Sequence, residues 1–239
     1  SYAACTSKIS VKELEPSFSV APSEPEISTD EPIQSQESFA ELITNNTGRE
    51  NNSFDISVSL DAEEHLLDIS QTLTYVNNTG VQLNDIYFNL IPQAFRENGG
   101  GVSMEQILVS DETCNLNKVD GTVYSLSLSS PLAAGKSLDI KMHYTVDIPN
   151  IQNRFGYQEN IYNLGNFIAT PAVYENGAWV VEPYVDLGDA FYTEIADYKV
   201  AITVPEGFKV AATGVETDGV YIADDVRDFA FCASDSFEV

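Results

Sequence analysis

Basic residues are the first scarcity. Lysine and arginine number 11 against 37 aspartates and glutamates, leaving a formal charge of −26 over 239 residues. Such a surface repels phosphate backbones, which argues against DNA or RNA as partners. It also repels anionic lipid, which argues against adsorption to a bilayer by charge. Cysteine is sparse too. Cys5, Cys114 and Cys232 include no CxxC pair and are too few and too scattered for a disulfide scaffold. One pair can bridge, but the spacing does not choose it. An apolar run of about 18 residues, the length of a membrane-spanning helix, is also missing.

The chain holds only two histidines, His65 and His143. A catalytic zinc normally takes three protein ligands, commonly two histidines close together on a helix. Neither histidine has an H-x-x-x-H partner, and both fall in strand-like strings. In KMHYTV, His143 shares a face with Lys141 and Thr145 and reads as a sheet-surface residue; His65, in DAEEHLLD, reads as the point where a turn enters a strand. No G-x-S-x-G and no glycine-rich phosphate loop is present. With 37 acids almost any carboxylate spacing is available, so no chosen pair points to glycoside hydrolysis.

What remains divides into two parts. Residues 6–52 hold four prolines, many serines and nine acids among few apolar residues, a composition that builds no core. We read 1–52 as an acidic, Ser/Pro-rich tail or tether, with short apolar pieces around Phe18 and 39–43 that can dock. At its start, SYAAC resembles the end of a bacterial lipoprotein signal, which makes Cys5 the lipid-attachment candidate, although Tyr2 stands where leucine is usual. The alternative is the remnant of an ordinary extracytoplasmic leader. Extracytoplasmic localisation, with any membrane attachment through that lipid, is the expectation.

From residue 53 the pattern changes. FDISVSLD, HLLDISQTLTYVN and DIYFNL alternate apolar and polar residues, the period of half-buried strands, with NNTG at 77–80 as a turn. TVYSLSLS, SLDIKMHYTVDIP, YKVAITVP, GFKVAAT and VRDFAFCA continue the series. The expectation over 53–239 is an all-β domain, a mostly antiparallel curved sheet or sandwich with no helix beyond about two turns.

The order of these pieces resembles the N-terminal β-domain of the aminopeptidase N family of zinc metallopeptidases, the HExxH gluzincins, in a bacterial branch. FDISVSLDAEEHLLDISQTLTYVNNTG resembles its opening, followed by an extended segment similar to LNDIYFNLIPQAFR and by the turn and long strand of SLSSPLAAGKSLDIKMHYTVDIP. The strongest likeness lies in RFGY and in NLGNFIATPAVYENGAWVVEPYVDLGDAFYTEIADYKVAITVPEGFKVAATG, and VRDFAFCAS resembles the strand that leads to the catalytic domain. The likeness covers about 53–234 and stops before HExxH. GGGVSMEQ only loosely resembles the family's substrate-clamp motif: the Gly101–Met104 spacing is one residue too long and Gln106 replaces asparagine.

The resemblance implies a non-catalytic domain of a larger peptidase. It implies no cofactor in this chain, zinc in the following catalytic domain of the same polypeptide, and a peptide substrate for the parent. It also implies that the loop at 157–171 and the hairpin after it face that domain or line the substrate entrance. Glu159, Asn163 and Asn166 are the polar candidates there, and Trp179, Tyr184 and Phe191 the core or interdomain candidates. A stand-alone surface β-sandwich that binds carbohydrate or protein is the alternative.

Overall fold

Alternation in the sequence decides the largest sheet. Along NSFDISVSLD, Phe54, Ile56, Val58 and Leu60 are at most 5% exposed, while Asp55, Ser57, Ser59 and Asp61 face solvent. Leu67, Ile69 and Leu73 on the next strand, and Ile140, Tyr144 and Val146 on its neighbour, are fully buried by the same rule. Each such side chain removed from water contributes roughly 1.5–3 kcal/mol before the entropy of ordering is subtracted.

The computed structural model describes residues 50–185 and 192–237. Apart from its last three residues, the 1–52 tail lies outside them, as do Cys5 and Phe191. In chain order the strands begin β1 (Asn52–Asp61), β2 (Leu66–Val76), β3 (Leu83–Asn89), β4 (Gly101–Val109), β5 (Glu112–Thr113) and β6 (Leu116–Asp120). They continue as β7 (Val123–Leu132), β8 (Ser137–Asp147), β9 (Phe155–Gln158), β10 (Ile161–Leu164), β11 (Thr170–Pro171) and β12 (Tyr174–Glu175). The last six are β13 (Ala178–Trp179), β14 (Ala196–Thr203), β15 (Lys209–Ala212), β16 (Val215–Thr217), β17 (Val220–Val226) and β18 (Phe231–Ser234).

Eight strands form one sheet in the order β16-β17-β14-β1-β2-β8-β4-β5. Its pairs are antiparallel except β1 with β14, where Phe54 lies beside Tyr198 and their rings stack at 4.8 Å. Two four-stranded sheets, β11-β3-β7-β6 and β15-β18-β10-β9, send Ile86, Phe88 and Leu126, and Tyr162, Leu164 and Phe231, into the same core. The fold is all-β and predominantly antiparallel, as the alternation predicts.

NNTG is the turn between β2 and β3: it carries the chain from the large sheet to another, and buried Asn77 holds it by donating to the Val81 and Leu132 carbonyls. Three other local readings need correction. The end of LNDIYFNLIPQAFR is not extended, since Ile91–Asn98 winds into 3-10 turns opened by Pro92, whose fixed φ and missing N–H suit a helix start. VRDFAFCA is not one strand; β17 ends at Val226 and β18 begins at Phe231. Nor is 157–171 a loop, because β9 and β10 pair there as a hairpin with Tyr157 opposite Tyr162.

Candidate functional site

The end of β3 and the crossing after β10 meet at a partly open cleft. Asn89, Ile91, Asn166, Thr170, Val173, Val180, Glu182, Tyr192 and Thr193 line it, around a hollow of about 30 Å³. Asn89 is placed by the pairing of β3 with β7 and β11, where it lies opposite Val123 and Thr170. Its Oδ1 is buried with no hydrogen-bond partner among the described residues. An acceptor left in that state costs about 1–3 kcal/mol.

Asn166 stands across the cleft in a left-handed backbone conformation, φ 55°, which asparagine tolerates better than bulkier residues. The residue is 7% exposed, and its Nδ2 donates to Asp228 Oδ2 at 3.2 Å. Asp228 sits in the break between β17 and β18. Burial pushes its carboxyl up to about 6, while the Phe229 N–H and the Arg154 guanidinium favour the charged form. Next to it, Arg227 and Thr193 bond reciprocally: Thr193 Oγ1 donates to the Arg227 carbonyl at 2.8 Å, and Arg227 Nη1 to the Thr193 carbonyl at 2.7 Å. Two adjacent residues thus hold two walls of the cleft.

The aromatic candidates act as supports. Trp179 stacks on Tyr87 at 5.5 Å and meets Tyr174 edge-on at 5.2 Å, which fastens the β12–β13 hairpin to β3. Tyr184 leans on Phe95 at 5.3 Å, and its N–H donates to Thr122 Oγ1. Both are half-buried. Trp179→Ala is expected to lower stability by about 2 kcal/mol, less than a full core truncation, as read by urea unfolding. A loss below about 0.5 kcal/mol would show that the indole anchors nothing.

The polar candidates do not all meet. Glu159, at the β9–β10 turn with φ 53°, and Asn163 line a separate groove with Ile151, Gln152, Gln158 and Ile161. Asn163 is tied down by donating to the Asn153 carbonyl and by accepting from Cys232 Sγ. Asn166 alone of the three reaches the cleft. Sequence reasoning missed Asn89, Glu182, Tyr192, Thr193 and Asp228. Only Asp228 left a trace, as a lone acid before the apolar run FAFCA.

Neither histidine is placed to share a metal. His65 Nδ1 lies 2.7 Å from the Tyr162 hydroxyl, and its ring stacks on Tyr157 at 3.8 Å. His143 has Asp68 at Nε2, 3.2 Å away, and Glu105 at Nδ1, 3.1 Å away, so the carboxylates flank different ring nitrogens and do not converge on one point. Among the described residues no three His, Cys, Asp or Glu side chains are grouped to hold an ion, and the donor set for zinc is not formed by them. Cys114 and Cys232 are free thiols. No described helix is long and apolar enough to cross a membrane.

No protein-family model and no curated protein matches the chain. Solved structures do. An M1 zinc metallopeptidase from Deinococcus radiodurans is 15% identical with a TM-score of 0.48, over 77% of this chain and 42% of that one. A mutant from the same organism bound to a Tyr-Ser-Ala substrate is 16% identical, with the same TM-score and coverage. A two-domain M1 zinc metallopeptidase mutant bound to L-arginine is 15% identical, again at 0.48 over 77% and 42%. The likeness is distant and partial. The chain spans less than half the length of these structures.

Proposed function

We propose that 53–239 is the non-catalytic N-terminal β-domain of a zinc-dependent aminopeptidase, seated against a catalytic domain of the same polypeptide and helping to shape the site for the peptide N-terminus. One observation carries the reading: exposed apolar side chains recur in the described parts of the chain that supply Glu182, Tyr192 and Thr193 to the cleft. Val181, Val185, Tyr192 and Ile195 are 38–57% exposed, and Tyr192 lines the cleft that holds Asn89. A covering domain removes the cost of that exposure, since it buries the apolar side chains. At the cleft, the exposed Glu182 carboxylate is an acceptor, chemistry that suits a peptide ammonium. The ordered sequence resemblance over 53–234 supplies the identity of the covering domain. In this reading zinc and the general base belong to that domain, and Cys5 is the lipid-bearing residue of an extracytoplasmic protein.

Hydrogen exchange tests the reading directly, by comparing this chain with the polypeptide extended beyond Val239 through its HExxH. Protection is expected to rise across 157–171, 179–185 and 192–195 more than across the 77–80 turn. Equal protection at both places removes the interdomain role. A stand-alone carbohydrate-binding sandwich would want an exposed aromatic platform. Among the described residues, Tyr192 is the one large aromatic with wide exposure, at 48%.

A further inference from the structure

Asp228 is unusual among the described acids because its surroundings oppose its charge while its contacts reach the cleft. Its carboxylate accepts from Asn166 Nδ2, and Asn166 is nearly buried in a left-handed turn that leaves its backbone little room to follow a new side-chain direction. The adjoining Arg227 pins Thr193, so the segment 227–228 governs both the Asn166 wall and the Thr193 wall.

We propose that Asp228 is the positioning residue of the cleft and that gain or loss of its carboxyl proton decides which end of the Asn166 amide faces the cleft. The chemistry follows from donor and acceptor types. An ionised carboxylate only accepts, so Asn166 must turn its NH₂ group toward it, as the structure has it. A protonated carboxyl also donates, and the Asn166 amide oxygen can then take that hydrogen bond with the amide turned about. The proton comes from bulk water and returns to it.

The titration falls in mildly acidic solution, because burial raises the Asp228 carboxyl to about 6 while the Phe229 N–H and Arg154 oppose the rise. The other ionisable groups that bear on it are the Tyr198 phenol, raised by burial and by Asp228 itself, and Arg227 next in the chain. Glu182 and Tyr192 line the same cleft, and Tyr192 donates to Glu175. The device belongs to this chain alone and holds whether or not a catalytic domain covers the cleft.

NMR on the 239-residue chain tests it. The Asn166 side-chain NH₂ signals are expected to titrate with a midpoint near 6, together with the Asp228 carboxyl carbon and the Thr193 amide. In Asp228→Asn the Asn166 signals are expected to stay flat from about pH 4 to about pH 8, and in Glu182→Gln to titrate as before. A second variant, Asn166→Gly, keeps the positive φ and removes the amide; the Asp228 carboxyl carbon is expected still to titrate in it, while the Thr193 amide reports whether the turn itself has moved. Asn166 signals that ignore pH, a titration of those signals that survives Asp228→Asn, or an Asp228 carboxyl that no longer titrates in Asn166→Gly would each overturn the proposal. Failure of the catalytic-domain reading shows in the exchange comparison and leaves these titrations untouched.

Discussion

Tyr144→Phe is expected to cost the domain about 3 kcal/mol, although it removes one oxygen atom and no packing. Tyr144 is fully buried on β8, and its hydroxyl donates to Gln71 Oε1 at 2.7 Å while accepting from the Ala169 N–H at 3.1 Å. Gln71, 2% exposed on β2, closes the triangle by donating from Nε2 to the Ala169 carbonyl at 2.9 Å. The three groups join two strands of the large sheet to the segment just before β11, which forms a wall of the cleft through Thr170. Phenylalanine strands two buried groups, the Gln71 oxygen and the Ala169 N–H, and each orphan costs about 1–3 kcal/mol. Burial also holds the Tyr144 phenol well above its ordinary value, so the triangle stays neutral and the loss is expected to be the same at every pH from about 5 to about 8. Urea unfolding at both ends of that range measures it. A loss under about 1 kcal/mol, or one that changes with pH, would show that water or a neighbouring group takes the place of the hydroxyl.

Gln71 shows how far the sequence could be read. The run LLDISQTLTYV puts Leu67, Ile69, Gln71 and Leu73 on one face, so a polar side chain at an inward position was visible beforehand. Its partner was not, because Ala169 lies 98 residues away and contributes only backbone atoms. The strands themselves were legible wherever one face is buried, as Ile56, Ile69 and Val146 show, since period-two alternation is the direct imprint of a half-buried sheet. Pairing was less so. β1 and β14 alternate alike whether they run parallel or antiparallel, and nothing local announces the parallel register of Phe54 with Tyr198. The cleft was the least legible part. Asn166 could be proposed because it lies in a stretch that resembles a known domain, but Asn89, Glu182 and Thr193 come from three separate segments that only the tertiary fold brings together.

Asp228→Asn is expected to stabilise the domain at neutral pH by roughly 2 kcal/mol and to leave it almost unchanged near pH 4. The folded carboxyl titrates near 6, above its ordinary 3.8, with burial as the main cause. Between those two values the folded state holds a proton that the unfolded state has released, so unfolding releases protons from the native side and stability falls as pH rises. The contribution is fully present below the unfolded value and is lost once pH passes the folded one. Asparagine keeps the shape and one acceptor for the Asn166 amide but carries no charge to bury, so the variant escapes the fall. A shift of about two pH units corresponds to about 3 kcal/mol, and relaxation around a half-buried group brings the expected gain nearer 2. The many other acids titrate in both proteins, and the difference between the two stability curves cancels them. Unfolding free energies measured at steps from about pH 4 to about pH 8 should therefore diverge as pH rises and run parallel above about 7. Curves that stay parallel throughout, or a variant less stable at neutral pH, would mean that the Asp228 charge is compensated by its neighbours. A carboxylate kept where its charge weakens the fold is expected where that charge is used, and the hydrogen bond from Asn166 at the wall of the cleft is the use this structure offers.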